Sequence, residues 1–583
     1  MENINEILKL KVLNLPLDNK KYKYGSIYID GKLKDSLLET ITSKEDVYYF
    51  LYQDNSADIL SLANGYQINI PTKNKIKPNF MASQYRTQYE TENLKLTISM
   101  ESSNTYNNWK VYHDEWIMRY LTAEGEENKE EKIKHFFKQN NLEYTRKPFI
   151  CADYILGYEV EIVSIVINDN QNISMPYYNI AIIHQKDEIK KFTLLVMKSK
   201  TEMHNEFDAI VKSIKFFMPY GIKKGVDTLK VQLPTYLNEK TKRYYKKMYE
   251  QQYVEWGFFN HSMYVDQCQN SKIKDREKKE EKELNYKFEI EPTYTHIGHI
   301  DSEEVFPLKD AFDLAGGDGF NNKKVIQFTL QFTTSNNEGL YGYTPMFDIL
   351  RGKYDNYFRK LAKSIKEYKL PILFRVNNEM NSDWVSYCGQ VTLLDPDIFV
   401  LTWERMANIL KEEGCDNLLY IFNPTGKSYP YCSWGEDLCY LPSLEFVQFL
   451  GLTYYDYNNG EGPTSFENLY SWLYQKNMPH FKNYPAIISE FGCGSGGEAS
   501  GKMYRNEKSQ AIWIQEMFNL FNEKRFDNNP KYDFIRQIKA AIWFNADDYY
   551  QDKIKNKLII DEENTPDTIK CFKEGLSKSK ELN

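Results

Sequence analysis

From about Val231 onward, short apolar runs alternate with helical patterns, and polar residues follow each run at its C-terminal end. Runs of this length are typical of buried strands. Apolar residues at helical spacing lie between the runs, for example Tyr357, Leu361 and Ile365. The alternation predicts an α/β fold, a (β/α)₈ (TIM) barrel over residues 231–578, with its active site at the C-terminal ends of the strands. The eight predicted strands are Tyr253–Phe259, Phe288–Tyr294, Val325–Phe332, Ile372–Val376, Leu418–Phe422, Phe446–Tyr454, Ala486–Ser489 and Ala540–Phe544.

Residues 1–220 follow a different rhythm, in which short segments rich in Tyr, Ile and Val alternate with polar turns. This pattern predicts an α+β accessory region ahead of the barrel. No paired carboxylates indicate chemistry there, so the region is either a structural or docking module or, alternatively, a carbohydrate-binding module. Its predicted elements are the strands Leu10–Leu15, Ser26–Ile29, Val47–Leu51, Tyr66–Ile70, Leu94–Ser99 and Val160–Ile167, a helix over Glu127–Asn141, and a strand, a loop and a helix within Phe192–Phe217.

Part of this region, residues 62–217, resembles PsbP-like α+β domains. The resemblance is carried by its opening, G-Y-Q-I-N-I-P from Gly65, and by its ending, F-D-A-I-V-K-S-I-K-F-F from Phe207. It implies a fold and assigns no chemistry.

The composition narrows the classes of protein that the chain can be. The chain has 583 residues, more than a single hydrophobic core usually contains, so two or more domains are expected. A net charge of -8 offers no basic surface, which excludes nucleic acid as a partner. No stretch approaches the length of a membrane span, and none is expected. The first residues lack a basic region followed by an apolar run, so no signal peptide is predicted. The compartment and the oligomeric state stay open.

Cysteine and histidine spacing argues against a structural zinc site. The eight cysteines include no C-x-x-C pair, and no cysteine lies near His296 and His299. Neither a metal nor another cofactor is expected. The cysteines are predicted to be free buried thiols, although the closest two, Cys432 and Cys439, leave a disulfide open as an alternative.

Two strand ends carry the candidate chemistry. Ile372–Val376 is followed by a cluster of polar residues that includes Glu379, and the run A-I-I-S that starts at Ala486 is followed by Glu490. A polar cluster cannot be satisfied inside a strand and suits the rim of an active site. The alternative for the first cluster is a helix N-terminus with a capping asparagine. Two glutamates at the ends of two strands are what double-displacement glycoside hydrolysis requires.

The motifs around these glutamates occur in one order along about 200 residues. In that order they resemble glycoside hydrolase family 26, a branch of the clan A (β/α)₈ glycosidases that includes β-mannanases. The motifs are I-L-R-G-K-Y-D-N-Y-F from Ile349, P-I-L-F-R from Pro371, N-E-M-N-S-D-W from Asn378, Trp403, F-N-P from Phe422, F-V-Q-F-L-G-L-T-Y-Y from Phe446, I-S-E-F-G from Ile488 and W-F-N-A-D from Trp543.

The resemblance implies roles for individual residues. Glu379 is the expected acid/base and Glu490 the expected nucleophile. Arg375 is expected to keep the nucleophile ionised, or alternatively only to pack the barrel. Asn378 is expected to contact the sugar 2-hydroxyl, and Tyr455 to hydrogen-bond the nucleophile. Trp543 is expected to stack under the sugar at the cleavage point, or alternatively to be an ordinary barrel aromatic. Trp384 and Tyr387 are further candidates for stacking on sugar, and Trp434 is a weaker one.

Three positions depart from the family pattern and leave the polymer undetermined. Asn378 stands where a histidine is usual, Thr453 where an aspartate is frequent, and Ser382 where a glycine is found. The expected function is that of a retaining endo-β-glycosidase acting on a mannan-, glucan- or xylan-like polysaccharide. The alternative is a glycan-binding or structural surface component, as in a phage tail or a spore surface.

Overall fold

The computed structural model describes most of the barrel region and part of the region before it. Neither the predicted strand Leu10–Leu15 nor His299 lies among the described residues. These residues are 27–29, 32–34, 47–51, 56–61, 64–71, 77–80, 86–102, 129–151, 155, 157–186, 191–216, 228–260, 280–298, 324–333, 342–429, 431–457, 463–499, 502–505, 507–550 and 553–582.

The region before the barrel contains two antiparallel sheets. A six-stranded sheet has the order β13-β5-β4-β3-β1-β2, and a seven-stranded sheet has the order β6-β7-β8-β12-β11-β10-β9. The strands are β1 (Ile27–Ile29), β2 (Lys32–Lys34), β3 (Val47–Leu51), β4 (Ser56–Ser61), β5 (Tyr66–Pro71), β6 (Lys77–Phe80), β7 (Arg86–Glu90), β8 (Leu94–Ser102), β9 (Leu142–Cys151), β10 (Tyr158–Ile167), β11 (Tyr177–Gln185), β12 (Lys191–Ser199) and β13 (Lys215–Phe216).

Among the described residues, this region also contains helices α1 (Lys129–Gln139) and α2 (His204–Ser213). Both fall where the sequence predicts a helix, and every predicted strand within the described residues is present. The pattern missed several strands, among them β11, which lies inside the seven-stranded sheet. Its apolar run is buried on both faces, so it lacks the alternation that marks a strand with one solvated face.

The barrel is a closed ring of eight parallel strands in the order β14-β15-β16-β17-β18-β19-β20-β23. All eight predicted strands are confirmed, and with them the predicted fold class. A separate small sheet has the order β22-β21-β25-β24. The strands are β14 (Glu255–Asn260), β15 (Ile290–His296), β16 (Val325–Gln331), β17 (Ile372–Val376), β18 (Leu418–Phe422), β19 (Phe449–Asp456), β20 (Ala486–Cys493), β21 (Gly496–Ala499), β22 (Lys502–Arg505), β23 (Ile538–Asn545), β24 (Asp548–Tyr550) and β25 (Lys553–Lys557).

Amphipathic helices surround the barrel. The helix over 355–368 buries the predicted stripe of Tyr357, Leu361 and Ile365 against the strands. None of the helices in the described part of the chain is long and apolar enough to cross a membrane. The helices are α3 (Glu239–Glu250), α4 (Pro345–Leu350), α5 (Asp355–Tyr368), α6 (Pro396–Glu412), α7 (Phe466–Phe481), α8 (Glu507–Asn522), α9 (Asp533–Gln537) and α10 (Pro566–Leu582).

The lumen of the barrel has an apolar lower half and a polar upper half. Side chains alternate between the lumen and the helix layer along each strand. Leu373, Leu419 and Ile487 share the lumen core, whereas their neighbours Ile372 and Phe374 belong to the outer layer. Polar lumen residues therefore collect above this core, at the C-terminal ends of the strands.

The seven-stranded sheet is buried on both faces. Residues such as Ile162 and Leu195 pack with the six-stranded sheet and α2. Residues on the opposite face, such as Val163 and Ile180, belong to the same hydrophobic cluster as the barrel. The sheet is therefore shared between the accessory region and the barrel.

Candidate active site

A β-bulge aims Glu490 into the barrel lumen. Ile487 belongs to the lumen core and Ile488 to the outer layer. The pairing with β19 then jumps from Ile488 to Glu490, which leaves Ser489 as an extra residue. Strict alternation would turn Glu490 outward, and the extra residue returns it to the lumen face.

Both oxygens of the Glu490 carboxylate have donors. Arg375, which is fully buried, forms an ion pair with Oε1. Tyr294 also donates to Oε1, and the hydroxyl of Tyr455 donates to Oε2 at 3.3 Å. The guanidinium carbon of Arg375 lies 5.2 Å from the centre of the Tyr294 ring. Burial alone would lower the pKa of Arg375, but the negative charge of Glu490 outweighs it and raises that pKa.

Glu379 lies on a turn that is tied to the neighbouring strands. Its φ is 59° and that of Asn377 is 47°, both in the left-handed region. The amide of Glu379 donates to the Asn423 carbonyl at 2.8 Å, and Asn377 Oδ1 accepts from the Phe332 amide at 2.7 Å. No helix begins at this turn, since the next one is α6, so the alternative of a helix N-terminus is wrong. The turn holds a strained backbone at the rim of the lumen.

The surroundings of Glu379 favour its protonated form. Burial is the main cause that raises its pKa, to about 7, and the negative charge of Glu490 adds to the increase. A hydrogen bond of 3.1 Å from Trp384 Nε1 to Glu379 Oε2 acts in the opposite direction, as does the charge of Arg375. Glu379 follows β17 at the upper end of the lumen, where Arg375 of the same strand pairs with Glu490.

Asn378 and Trp384 lie beside Glu379, as expected of substrate-binding residues. The Oδ1 of Asn378 accepts from Gln331 Nε2 at 2.9 Å, which leaves its amide nitrogen for another acceptor. Trp384 is 50% exposed, and its ring lies 5.4 Å from that of Tyr429. An exposed indole at this position can stack on a sugar.

Tyr387 is not a platform, contrary to the sequence prediction. It is fully buried, and its hydroxyl donates to the Asn378 carbonyl at 2.8 Å. It therefore supports the turn from below. Trp434, the weaker candidate, is also buried and offers no face to a ligand.

Trp543 is likewise not brought to the site. It lies on the outer side of β23, where its ring is 5.2 Å from that of Phe572 in α10. Phe544 faces the lumen instead, with its ring 5.8 Å from that of Tyr455. Because side chains alternate along a strand, an assignment one residue off selects the wrong face. The alternative of an ordinary barrel aromatic fits Trp543.

Sequence reasoning also missed Tyr294, Gln331 and Tyr429, all of which contact the predicted site residues. Tyr294 could have been found, because it ends a predicted strand on the same face as the lumen residue Ile290. Gln331 and Tyr429 carried no signal that separates them from other polar or aromatic residues.

The described cysteines hold no disulfide. Cys432 and Cys439 are both free and buried, in agreement with the expectation of free thiols. Among the residues that the structure describes, no group of His, Cys, Asp and Glu side chains is arranged to hold a metal ion.

Comparison with protein families matches residues 344–550 to the model of glycosyl hydrolase family 26. Among characterised proteins, endoglucanase H of Acetivibrio thermocellus is 24% identical over 212 residues. That alignment covers 34% of this chain and 20% of the relative. The chain thus spans about a fifth of the length of the curated relative that it matches.

Similar solved structures include two mannanases. A GH26 β-mannanase from Bacteroides ovatus has a TM-score of 0.40 and 12% identity, over 58% of this chain and 94% of its own. A mannanase from Bacillus subtilis has a TM-score of 0.34 and 14% identity, over 55% and 89%. The family match includes Glu379 and Glu490 but does not extend to residues 62–217, whose PsbP-like resemblance stays a prediction.

Proposed function

From the premise that residues 344–550 form a glycosyl hydrolase family 26 region on a closed barrel, we propose that the protein is a retaining endo-β-glycosidase. The observation that carries the proposal is the unequal pair of glutamates in one lumen. Glu490 is held by a buried cation and two phenols, whereas Glu379 keeps a proton to about pH 7. Retaining glycosidases need this division between a nucleophile and an acid.

In the proposed first step, Glu490 attacks the anomeric carbon and Glu379 gives its proton to the departing oxygen. Arg375, Tyr294 and Tyr455 orient the attacking carboxylate. In this proposal, the amide nitrogen of Asn378 donates to the sugar 2-hydroxyl. The product is a glycosyl-enzyme, with the leaving part of the chain on the side of Glu379.

In the second step, the same Glu379 removes a proton from water, which attacks the anomeric carbon and releases Glu490. The indole of Trp384 stays bonded to Glu379 Oε2, which favours the ionised form that this step requires. A retaining mechanism predicts that the two carboxyl groups lie about 5–5.5 Å apart. A crystal structure with a bound inhibitor measures that distance, and about 8 Å would indicate inversion instead.

The proposed substrate is a β-linked polysaccharide of the mannan, glucan or xylan type. The curated relative described above is named an endoglucanase. Two residues that depart from the family pattern, Asn378 and Thr453, lie in or near the lumen. Thr453, at the position where an aspartate is frequent, accepts a hydrogen bond of 3.0 Å from Asn423. These departures leave the identity of the sugar to experiment.

A glycan-binding protein that uses a decayed barrel is not favoured. A decayed site has no need to keep a buried arginine on one glutamate and a raised pKa on the other. We further propose that residues 231–578 form the catalytic domain and residues 1–220 an accessory domain. The sheet shared by the two indicates that they function as one body.

Release of reducing ends tests the function. The purified full chain is incubated with β-1,4-mannan, mixed-linkage β-glucan and β-1,4-xylan, with Glu490→Gln and Glu379→Gln as matched variants. We expect one polymer to be cut by the parent chain and by neither variant. If no polymer is cut, or if the variants cut as fast as the parent, the proposal is wrong.

A further inference from the structure

A second cleft lies where the seven-stranded sheet meets the loop after β18. Its volume is about 690 Å³, within the range of ligand sites. We propose that this cleft binds the leaving-group side of the same β-linked polysaccharide, several sugar units beyond the bond that is cut. The inference rests on the proposed function and assigns a ligand to the accessory region. The lining residues that carry it are Asn64, Glu101, Tyr158, Phe216 and Tyr431.

Exposed aromatic rings lead from the catalytic glutamate to this cleft. The acid must lie beside the departing oxygen, so the leaving part of the substrate extends past Glu379 and its partner Trp384. The Trp384 ring is followed by that of Tyr429, which is 42% exposed. Tyr431 is 60% exposed and lies at the cleft, with its Cα at most about 7 Å from that of Tyr429 by chain geometry. A bound chain that follows these rings enters the cleft.

The walls of the cleft combine flat aromatic faces with hydrogen-bonding groups. Tyr158 and Phe216 form a ring pair with centres 4.8 Å apart on the wall made by the accessory region. Tyr431 faces the cleft from the barrel side. Polar side chains such as Gln185 and Thr193, and the charged Lys191 and Glu436, also line the cleft. Rings that stack on C–H faces, together with side chains that hydrogen-bond hydroxyl groups, suit a sugar.

A buried polar atom in the cleft lacks a partner. Asn64 is 4% exposed, and its Nδ2 donates to Thr87 Oγ1 at 3.3 Å. Its Oδ1 accepts no hydrogen bond in the structure. Buried polar atoms are rarely left in this state without a function. A sugar hydroxyl is a donor that would satisfy this acceptor.

The loop that carries Tyr431 is fixed to the sheet. Both carboxylate oxygens of Glu101 accept from Ser433, one from its amide at 2.9 Å and the other from its hydroxyl. Glu101 is itself 4% exposed. The two walls are thus joined before any ligand binds, which reduces the entropy cost of binding.

Binding without hydrolysis tests the proposal. The experiment uses the full chain with Glu490→Gln, so that the polymer binds without being cut. The probe is the polymer that the unmodified protein cuts best, and affinity electrophoresis measures its binding. Adding Tyr431→Ala should weaken polymer binding about 5- to 10-fold, as for the loss of one stacking ring. The matched control is Tyr249→Ala on α3, a tyrosine of similar exposure (48%). It lies away from the cleft, because Tyr245 of the same helix packs at the apolar, lower end of the lumen.

A second measurement does not depend on any substitution in the cleft. Hydrogen exchange of residues 184–185 and 431–436 in the Glu490→Gln protein should slow when the polymer is added, and should stay unchanged with a disaccharide. Equal polymer binding by the Tyr431→Ala and Tyr249→Ala proteins, with no slowing of exchange, would overturn the inference while the proposed function stands. If the unmodified chain cuts no polymer, both the inference and the proposed function are wrong.

Discussion

Two buried charge clusters lie at opposite ends of the segment 376–397. The first, the catalytic cluster, contains Arg375, Glu379 and Glu490. The second, the interface cluster, joins Asp395 and Asp397 at the start of α6 to Lys198 of the seven-stranded sheet. Lys95 bonds Asp397 as well. Most of these side chains are buried, whereas Glu379 and Asp397 are partly exposed. The pKa values of these two carboxyl groups are shifted in opposite directions.

The difference follows from the balance of charges. The catalytic cluster has one cation for two carboxylates, so Glu379 keeps its proton to about pH 7. In the interface cluster two lysines face two aspartates. Burial would raise the pKa of Asp397, but the charges of Lys198 and Lys95 outweigh it and hold that pKa well below its usual range. A buried carboxyl group without its own cation has a raised pKa and can act as an acid. A buried carboxylate that is paired with a cation has a lowered pKa and stays ionised, so the pair can stabilise the interface.

The largest effect should come from removing the charge of the catalytic cluster. Glu490→Gln deletes the nucleophile, and kcat on the polymer should fall by roughly 10⁴-fold or more. The control is Glu412→Gln, at an exposed glutamate on α6, which should keep the parent rate. Reducing-end release measures both. Retention of more than a few per cent of the parent rate by Glu490→Gln would refute the role given to this residue.

Breaking the interface cluster should lower stability more than activity. Lys198→Met leaves Asp395 and Asp397 in the interface without their main partner, and the free energy of unfolding should fall by about 3–5 kcal/mol. Lys200→Met, two residues along at an exposed position, should change it by less than about 0.5 kcal/mol. Urea denaturation followed by tryptophan fluorescence compares the two. Equal midpoints for the two variants would show that the cluster contributes no clamp.

The raised pKa of Glu379 predicts the alkaline limb of the pH profile. The acid is active when protonated, so kcat/KM on the polymer should fall about tenfold per pH unit above about pH 7. Lys200→Met, at an exposed residue just after β12, should keep the same limb. A limb centred near pH 4.5, the ordinary value for a glutamate, would contradict the assignment.

The smallest effect concerns the hydrogen bond from the Trp384 indole. This bond lowers the pKa of Glu379, so Trp384→Phe should move the alkaline limb upward by less than about one pH unit. Trp472→Phe removes an indole of comparable exposure that has no bond to Glu379 and should leave the limb in place. The kcat/KM profiles of the two variants decide the matter, and a downward shift with Trp384→Phe would be inconsistent with the bond.

The sequence predicted the barrel well, because its strands are marked locally. Apolar runs identify the strands, as in Ile372–Val376 and Leu418–Phe422. The two glutamates that the sequence singled out are marked in the same way, since Glu379 comes shortly after such a run and Glu490 comes directly after the run A-I-I-S, two residues before Gly492. The errors at Tyr387 and Trp543 share one cause, since the pattern shows that a residue lies in or near a strand but not which face it occupies. The extra residue at Ser489 has no signature in the sequence at all.

The interface cluster could not be predicted. Lys198 and Asp395 are distant in sequence, and a lysine in an apolar strand or an aspartate before a proline has many local explanations. Only the packing of the sheet against α6 brings them together. Long-range pairs of this kind depend on the tertiary structure, which no periodicity encodes.

The two-sided burial of the seven-stranded sheet has a consequence for biosynthesis. The face that includes Val163 and Ile180 emerges from the ribosome well before the barrel helices α4 and α6 that complete its core. About 200 residues must still be translated, which takes roughly 10–40 s at 5–20 residues per second. During that interval the nascent chain carries an uncovered apolar sheet. Slow translation between β12 and α6 should therefore favour aggregation of a chain whose sequence is unchanged.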